Sequence, residues 1–168
     1  HYRAVVIGGG IIGASTLYHL AKMGWNDIVL VEKIEYTSGS TWHAAGLLPL
    51  FNMSYSVGKI HKYSVDLYQS LEEETGQHVS FHKTGNLRLA RNQERMDEYK
   101  RYCGTASTIG VPFEMIGPAE IKKLWPFAKV DDLVGALYHP DDGHVAPVDV
   151  TMALLKGARA NGAETYSE

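Results

Sequence analysis

The chain has 168 residues, with 16 lysine plus arginine against 19 aspartate plus glutamate, which gives a formal net charge of -3. Its 45% hydrophobic and 21% charged residues are typical of a globular domain and exclude a disordered or collagen-like chain. No basic run stands out, so nucleic-acid binding is not expected. A single cysteine excludes a disulfide framework and favours a reducing compartment, and no apolar stretch is long enough to predict a membrane span.

The first 32 residues are predicted to form a βαβ unit. A β-branched run over residues 3–7 ends at three glycines, and apolar residues then recur at helical spacing until Gly24. Residues 28–31 form a continuous apolar run, which is typical of a parallel strand buried on both faces, and this run ends at Glu32.

The rest of the chain alternates predicted helices and strands. The predicted elements are a helix from Ser54 to near Gly76, a hairpin over residues 79–91, a helix capped by Asn92, a short helix opening at Pro118, a strand over 133–139, a helix over 148–161 and a strand from 163. Only two strands of a doubly wound sheet are identifiable near the start, and the last strand is not expected to complete the sheet. We therefore expect an amino-terminal piece of a larger protein that is inactive as an enzyme by itself.

Residues 8–13 read Gly-Gly-Gly-Ile-Ile-Gly and match the dinucleotide-binding pattern G-x-G-x-x-G. Gly8 closes the strand, Gly10 lets the backbone approach a pyrophosphate, and Gly13 allows close packing of helix and strand. Glu32 follows at the end of the second strand, where a carboxylate accepts hydrogen bonds from ribose hydroxyls and disfavours NADP. The alternative is a glycine-rich turn without a ligand.

The segment 38–46 is a loop of mostly small residues that can bring its backbone close to a second part of a long cofactor. Ser40 and Thr41 can donate hydrogen bonds to phosphate or near a flavin. An NAD-dependent dehydrogenase fits poorly, because its second strand should lead directly into another crossover helix. Taken by itself, His43 in this loop is interpreted as a solvated histidine rather than a catalytic one.

Segments 8–13, 31–33 and 38–47 resemble the dimethylglycine dehydrogenase and sarcosine dehydrogenase family, within the D-amino-acid-oxidase-like flavoproteins of GR2 type. Further matching segments are 71–76, 85–90, 142–144 and 151–154, so the resemblance covers nearly the whole chain. It implies an α/β fold, with a Rossmann-like FAD-binding βαβ unit and part of an inserted α+β substrate domain. The implied division is residues 1–51 for the βαβ unit and flavin loop, 52–147 for a helical and hairpin segment reaching into the substrate domain, and 148–168 for a return helix and strand.

The resemblance also implies an FAD site, in which His43 is the covalent attachment point through an imidazole nitrogen to the flavin 8α carbon. Such a link withdraws electron density and makes the flavin a better hydride acceptor. The residues implied to contact FAD are Gly8, Gly10, Ile11, Ile12, Gly13, Glu32, Lys33, Gly39, Ser40, Thr41, Trp42, His43, Ala44, Ala45, Gly46 and Leu47. No catalytic residue is assigned within this chain. No metal is expected either, because the crowded His139, Asp141, Asp142 and His144 are interpreted as a turn.

The implied activity is oxidation of an N-methyl amine such as dimethylglycine or sarcosine, a reaction of one-carbon metabolism. Hydride passes to flavin N5 and leaves an iminium, which water hydrolyses or which tetrahydrofolate captures in a part of the protein outside this chain. The implied acceptor is an electron-transfer protein or oxygen. The implied location is intracellular, cytoplasmic in a bacterium or the mitochondrial matrix in a eukaryote.

The family's mammalian dimethylglycine enzyme has an aspartate where this chain has Ala146. This difference concerns the substrate that the resemblance implies, and it does not affect the implied binding of FAD. One alternative is another amine or amino-acid oxidase of the superfamily. The other is a non-enzymatic protein resembling the regulatory subunit of pyruvate dehydrogenase phosphatase. That subunit shares the early glycines but lacks the histidine that corresponds to His43.

Overall fold

The computed structural model describes all residues from His1 to Glu168, and it divides into two compact units. Unit 1 comprises His1–Leu47, Leu67–Phe81 and Val145–Glu168, and unit 2 comprises Leu48–Asp66 and His82–His144. None of the helices combines the length and the apolar character needed to cross a bilayer.

The helices and strands follow the predicted order closely. The helices are α1 (Ile11–Lys22), α2 (Tyr55–Thr75), α3 (Gln93–Ile109), α4 (Pro118–Leu124) and α5 (Pro147–Ala160). The strands are β1 (Ala4–Ile7), β2 (Ile28–Val31), β3 (Leu47–Leu48), β4 (His82–Lys83), β5 (Asn86–Ala90), β6 (Glu114–Ile116), β7 (Gly135–His139), β8 (Gly143–His144) and β9 (Glu164–Tyr166). A single 3₁₀ turn covers Thr41–His43.

Unit 1 is built on a parallel sheet with the strand order β1, β2, β9. The central strand β2 is buried on both faces, as its continuous apolar run predicts. The edge strand β1 instead alternates, and Val5 and Ile7 are exposed. Helices α1 and α5 pack together in this unit, and Gly157 allows the approach, since a β-carbon there would lie 2.8 Å from the Tyr18 ring.

Unit 2 is built on an antiparallel sheet with the order β5, β7, β6. One face packs against α4 and carries an apolar core that includes Ile121, Ala128 and Ala136. The strand pairing puts Arg88 and His139 on the opposite face, because Arg88 pairs with Leu137 and His139 pairs with Asn86. The short strands β4 and β8 pair with each other in antiparallel orientation, and His82 lies opposite His144.

One expectation about organisation differs from the structure. The predicted hairpin over residues 79–91 is wrong, because β4 pairs with β8 while β5 pairs with β7. The turn at Gly85 does not join paired strands, and its N–H donates instead to the Asp142 carbonyl at 2.8 Å. The predicted last strand forms as β9, which pairs in parallel with β2 at the edge of the three-stranded sheet.

The predicted division of the chain into residues 1–51, 52–147 and 148–168 stays a prediction, and the two compact units have boundaries of their own. The segment Leu67–Phe81 groups with unit 1 rather than with the rest of 52–147, and a bond from the Tyr18 hydroxyl to Glu74 at 2.6 Å connects it there.

Candidate functional site

The turn between β1 and α1 has glycine at three positions for reasons of backbone conformation or of space. Gly8 has a φ of 108°, a conformation that favours glycine. A β-carbon at Gly13 would overlap the Gly8 carbonyl oxygen, and one at Gly10 would lie 3.0 Å from Thr41 Oγ1. The three glycines of the sequence motif therefore have separate structural reasons.

Thr41 anchors the small-residue loop to the start of α1. The N-cap residue Gly10 has no side chain to cap the helix, and the Ile11 N–H donates to Thr41 Oγ1 at 3.0 Å. Thr41 as a whole is largely buried, and its hydroxyl still has its own proton to donate to an acceptor. The sequence placed Thr41 in the loop, but its capping role depends on tertiary structure.

Glu32 is already oriented by backbone donors. The Gly9 N–H donates to Glu32 Oε2 at 2.6 Å, and the Ile34 N–H donates to Oε1 at 3.1 Å. These bonds hold the pKa of Glu32 below its usual value, so the carboxylate is ionised near neutral pH. Each oxygen keeps further acceptor capacity for hydroxyl donors.

An open cleft of about 450 Å³ lies where β1 ends and α1 begins. The predicted site residues that line it are Gly8, Gly10, Ile11, Ile12, Gly13, Glu32, Gly39, Ser40 and Thr41. The cleft also includes Val6, Ile7 and Thr16, which the sequence analysis missed. Thr16 follows Gly13 by three residues, so helical spacing could have identified it on the same face.

Seven predicted residues lie outside this cleft. They are Lys33, Trp42, His43, Ala44, Ala45, Gly46 and Leu47. All except Gly46 are exposed. Gly46 has a φ of 72°, and its carbonyl accepts the Val145 N–H at 2.9 Å, which fixes the end of the loop. The structure thus groups the residues implied for pyrophosphate and ribose, whereas those implied for the flavin end remain on the surface of the same unit.

His43 is held in a defined orientation. Its ring centroid lies 3.8 Å from that of Trp42, with 36° between the ring planes. Its Nδ1 lies 3.2 Å from the Gly39 carbonyl oxygen. A carbonyl can only accept, so Nδ1 carries the proton and the neutral ring has its lone pair on Nε2.

This donor set fits a dinucleotide. The amino-terminal end of α1 carries a partial positive charge, and the absence of a side chain at Gly10 opens it to a phosphate group. The Thr41 hydroxyl lies at the same place, and the Glu32 carboxylate lines the same cleft as an acceptor for ribose hydroxyls.

Comparison with known proteins identifies the family. The sequence model of the DAO family, described as FAD dependent oxidoreductase, matches residues 3–168. The chain belongs to this family. The predicted family and the predicted FAD-binding fold are therefore confirmed. The mitochondrial dimethylglycine dehydrogenase of Rattus norvegicus is 48% identical over 160 residues, which are 95% of this chain and 19% of that protein.

Two further similarities broaden the comparison. The mitochondrial pyruvate dehydrogenase phosphatase regulatory subunit of Mus musculus is 42% identical over 98% of this chain and 19% of its own length. The crystal structure of L-proline dehydrogenase from P. horikoshii superposes with a TM-score of 0.90 at 31% identity, covering 99% of this chain and 44% of that one. The chain thus spans about a fifth of the length of these two curated relatives.

Proposed function

We propose that this protein binds FAD in the cleft of unit 1 and oxidises an N-methyl amine such as dimethylglycine or sarcosine. The observation that carries the proposal is His43, oriented by Trp42 and Gly39 in the loop that Thr41 anchors beside the cleft. Membership of the FAD dependent oxidoreductase family and the 48% identity to rat dimethylglycine dehydrogenase support it.

Each part of unit 1 has a role in this proposal. The N–H groups at the start of α1 and the Thr41 hydroxyl bind the pyrophosphate, and Glu32 accepts hydrogen bonds from the adenosine ribose. Lys33 flanks the ribose, and the segment 39–47 wraps the flavin end. Ile7 and Ile12 are 85% and 78% exposed and supply an apolar wall to the cleft.

His43 Nε2 is the nitrogen that we propose to carry the flavin. Nδ1 is engaged by the Gly39 carbonyl, so Nε2 alone has a lone pair available for a bond to carbon. When bound, FAD supplies the hydride acceptor that turns the N-methyl amine into an iminium. Capture of the iminium carbon by tetrahydrofolate, and the choice of an electron-transfer protein or oxygen as acceptor, stay predictions for the whole protein.

The attachment is tested by acid precipitation of the purified whole protein loaded with FAD. We expect the flavin of the wild type to remain in the pellet and the flavin of His43→Ala to appear in the supernatant. His78→Ala is the matched control, because this exposed histidine contacts Glu72 and is not among the residues that line the cleft. Flavin in the pellet of His43→Ala would place the attachment at another residue.

The substrate is tested by adding candidate amines to the FAD-loaded whole protein without oxygen, because this chain by itself is expected to be inactive. We expect dimethylglycine or sarcosine to bleach the flavin absorbance and to release formaldehyde, whereas glycine and proline do so weakly or not at all. Bleaching by glycine or proline instead would indicate a different oxidase.

The 42% identity to the phosphatase regulatory subunit favours a second candidate, a protein that binds FAD without oxidising any of these amines.

A further inference from the structure

Unit 2 contains a buried group of polar side chains that the proposed function does not use. His139 is fully buried, and Asp142 is 2% exposed. Four buried side-chain atoms in this unit have no hydrogen-bond partner, and they are Arg88 Nε, His139 Nδ1, His139 Nε2 and Asp142 Oδ2. Buried polar atoms without a partner are rare in folded proteins and indicate a missing partner.

These side chains form one cluster around Leu50 and Phe51. The Leu50 N–H donates to Asp142 Oδ1 at 2.9 Å, and the Leu50 carbonyl accepts from the Tyr102 hydroxyl at 3.2 Å. The Arg88 guanidinium lies over the Phe51 ring, 4.2 Å from its centroid. The Tyr102 and His139 ring centroids are 5.4 Å apart.

The unpartnered atoms have complementary chemistry. Arg88 Nε is a donor, and no ion pair joins Arg88 to Asp142 within 4.0 Å. Burial and the positive charge of Arg88 lower the pKa of His139 to about 4, against a smaller opposing influence of the Pro112 carbonyl, so the ring is neutral near pH 7. A neutral ring offers one donor and one acceptor. Burial raises the pKa of Asp142 to about 6, which leaves the carboxylate ionised near pH 7.

We propose that one internal water molecule in this cluster bridges Arg88, His139 and Asp142 and gives a partner to three of the four atoms. The water accepts a hydrogen bond from Arg88 Nε, donates one to Asp142 Oδ2 and donates the other to the unprotonated ring nitrogen of His139. Internal waters typically make about three hydrogen bonds to polar groups that would otherwise be unsatisfied. The bridge joins β5 to the turn after β7 and thereby holds the Asp142 carboxylate that binds Leu50.

A larger anion fits the cluster less well. A second negative charge beside the ionised Asp142 would be repelled in a poorly solvated site, whereas water can donate to the carboxylate and accept from the guanidinium. The direct test is a high-resolution crystal structure of the FAD-loaded protein. We expect one ordered water within hydrogen-bonding distance of Arg88 Nε, Asp142 Oδ2 and a His139 ring nitrogen. A direct Arg88 to Asp142 contact, or an empty space between them, would overturn the proposal.

An independent test measures coupling between the bridged groups by thermal unfolding. Arg88→Met and Asp142→Asn are each expected to lower the melting temperature, and the double variant should lose clearly less than the sum of the two shifts. The matched control is the exposed pair Arg91 and Asp132, 3.2 Å apart in the same unit, whose Arg91→Met and Asp132→Asn shifts should be small and nearly additive. Additive shifts for the buried pair would contradict a bridge, and if those variants fail to fold, the wild-type crystal structure still decides.

Discussion

Unit 1 builds its candidate site mainly from backbone groups, whereas unit 2 builds its buried polar cluster from side chains. In unit 1, the glycine turn and the start of α1 supply the shape and the donors, and Glu32 and Thr41 are themselves bound to backbone N–H groups. In unit 2, Arg88, His139 and Asp142 come from separate turns and strands. The first arrangement is encoded by short sequence spacing, and the second arises only when distant strands pair.

The largest expected effect tests the backbone side of this comparison. In Gly13→Val, the new side chain would collide with the Gly8 carbonyl, which cannot move without displacing the end of β1. We expect the free energy of unfolding to fall by at least about 3 kcal/mol and FAD retention to be lost. Urea unfolding and the flavin absorbance of purified protein measure the two effects.

The control is another glycine with open space around it. Gly104 lies within α3, and a β-carbon there would contact nothing within 4 Å. Gly104→Ala should therefore stabilise the protein by roughly 0.5–1 kcal/mol, because alanine is the better helix former. Tolerance of Gly13→Val would show that the turn is not constrained as described.

The second prediction tests the side-chain cluster through the pH dependence of stability. The pKa of Asp142 rises on folding from 3.8 to about 6, so its stabilising contribution is present below pH 3.8 and is lost as the pH rises through about 6. The pKa of His139 falls from 6.5 to about 4, so its contribution is present above pH 6.5 and is lost as the pH falls through about 4. As the pH falls from about 6 to about 4, the contribution of Asp142 to wild-type stability therefore increases while that of His139 decreases.

Single substitutions should reveal each contribution. Relative to wild type, Asp142→Asn should lose roughly 3 kcal/mol of unfolding free energy as the pH falls from 6 to 4, at about 1.4 kcal/mol per pKa unit. His139→Leu should gain a similar amount over the same range. The exposed Asp131 provides the control, because Asp131→Asn should follow the wild-type curve. If the curves of unfolding free energy against pH stay parallel for Asp142→Asn and wild type, the raised pKa of Asp142 is contradicted.

The third prediction examines the one side chain of unit 1 that acts mainly by its charge. Glu32→Gln keeps the side-chain length but weakens the bonds from Gly9 and Ile34 and the proposed bonds from the ribose. Hydrogen bonds to charged groups contribute about 1.5–3 kcal/mol, so FAD affinity should fall roughly 10- to 100-fold. Flavin fluorescence titration in a His43→Ala background measures binding without the covalent link. Glu35→Gln, an exposed neighbour, should leave the affinity unchanged.

The sequence predicted what depends on short segments and missed what depends on pairing between distant ones. The strand, glycine turn and helix of unit 1 follow from periodicity and spacing over the first 32 residues. The hairpin over 79–91 was wrong because the apolar alternation of β5 shows that it is a strand but does not reveal that its partner is β7. His139 and Asp142 were interpreted as parts of a turn, since nothing near them in the sequence indicates that Arg88 lies beside them.

The smallest expected effect tests why some contacts were predicted from the sequence and others were missed. The cause is either the unit in which a contact lies or the distance along the chain between its two residues. Asn92 lies in unit 2, and its side chain accepts the Arg95 N–H at 2.9 Å as the N-cap of α3, a local contact that the sequence predicted. Asn92→Ala should cost about 1 kcal/mol of unfolding free energy, and Asn92→Ser should restore most of it, because serine caps equally well. Both changes should be independent of pH between 4 and 7, unlike those at Asp142. A pH-dependent loss in Asn92→Ala would mean that the cap is coupled to the buried cluster. The short distance along the chain between Asn92 and Arg95 would then not explain why the sequence predicted this cap.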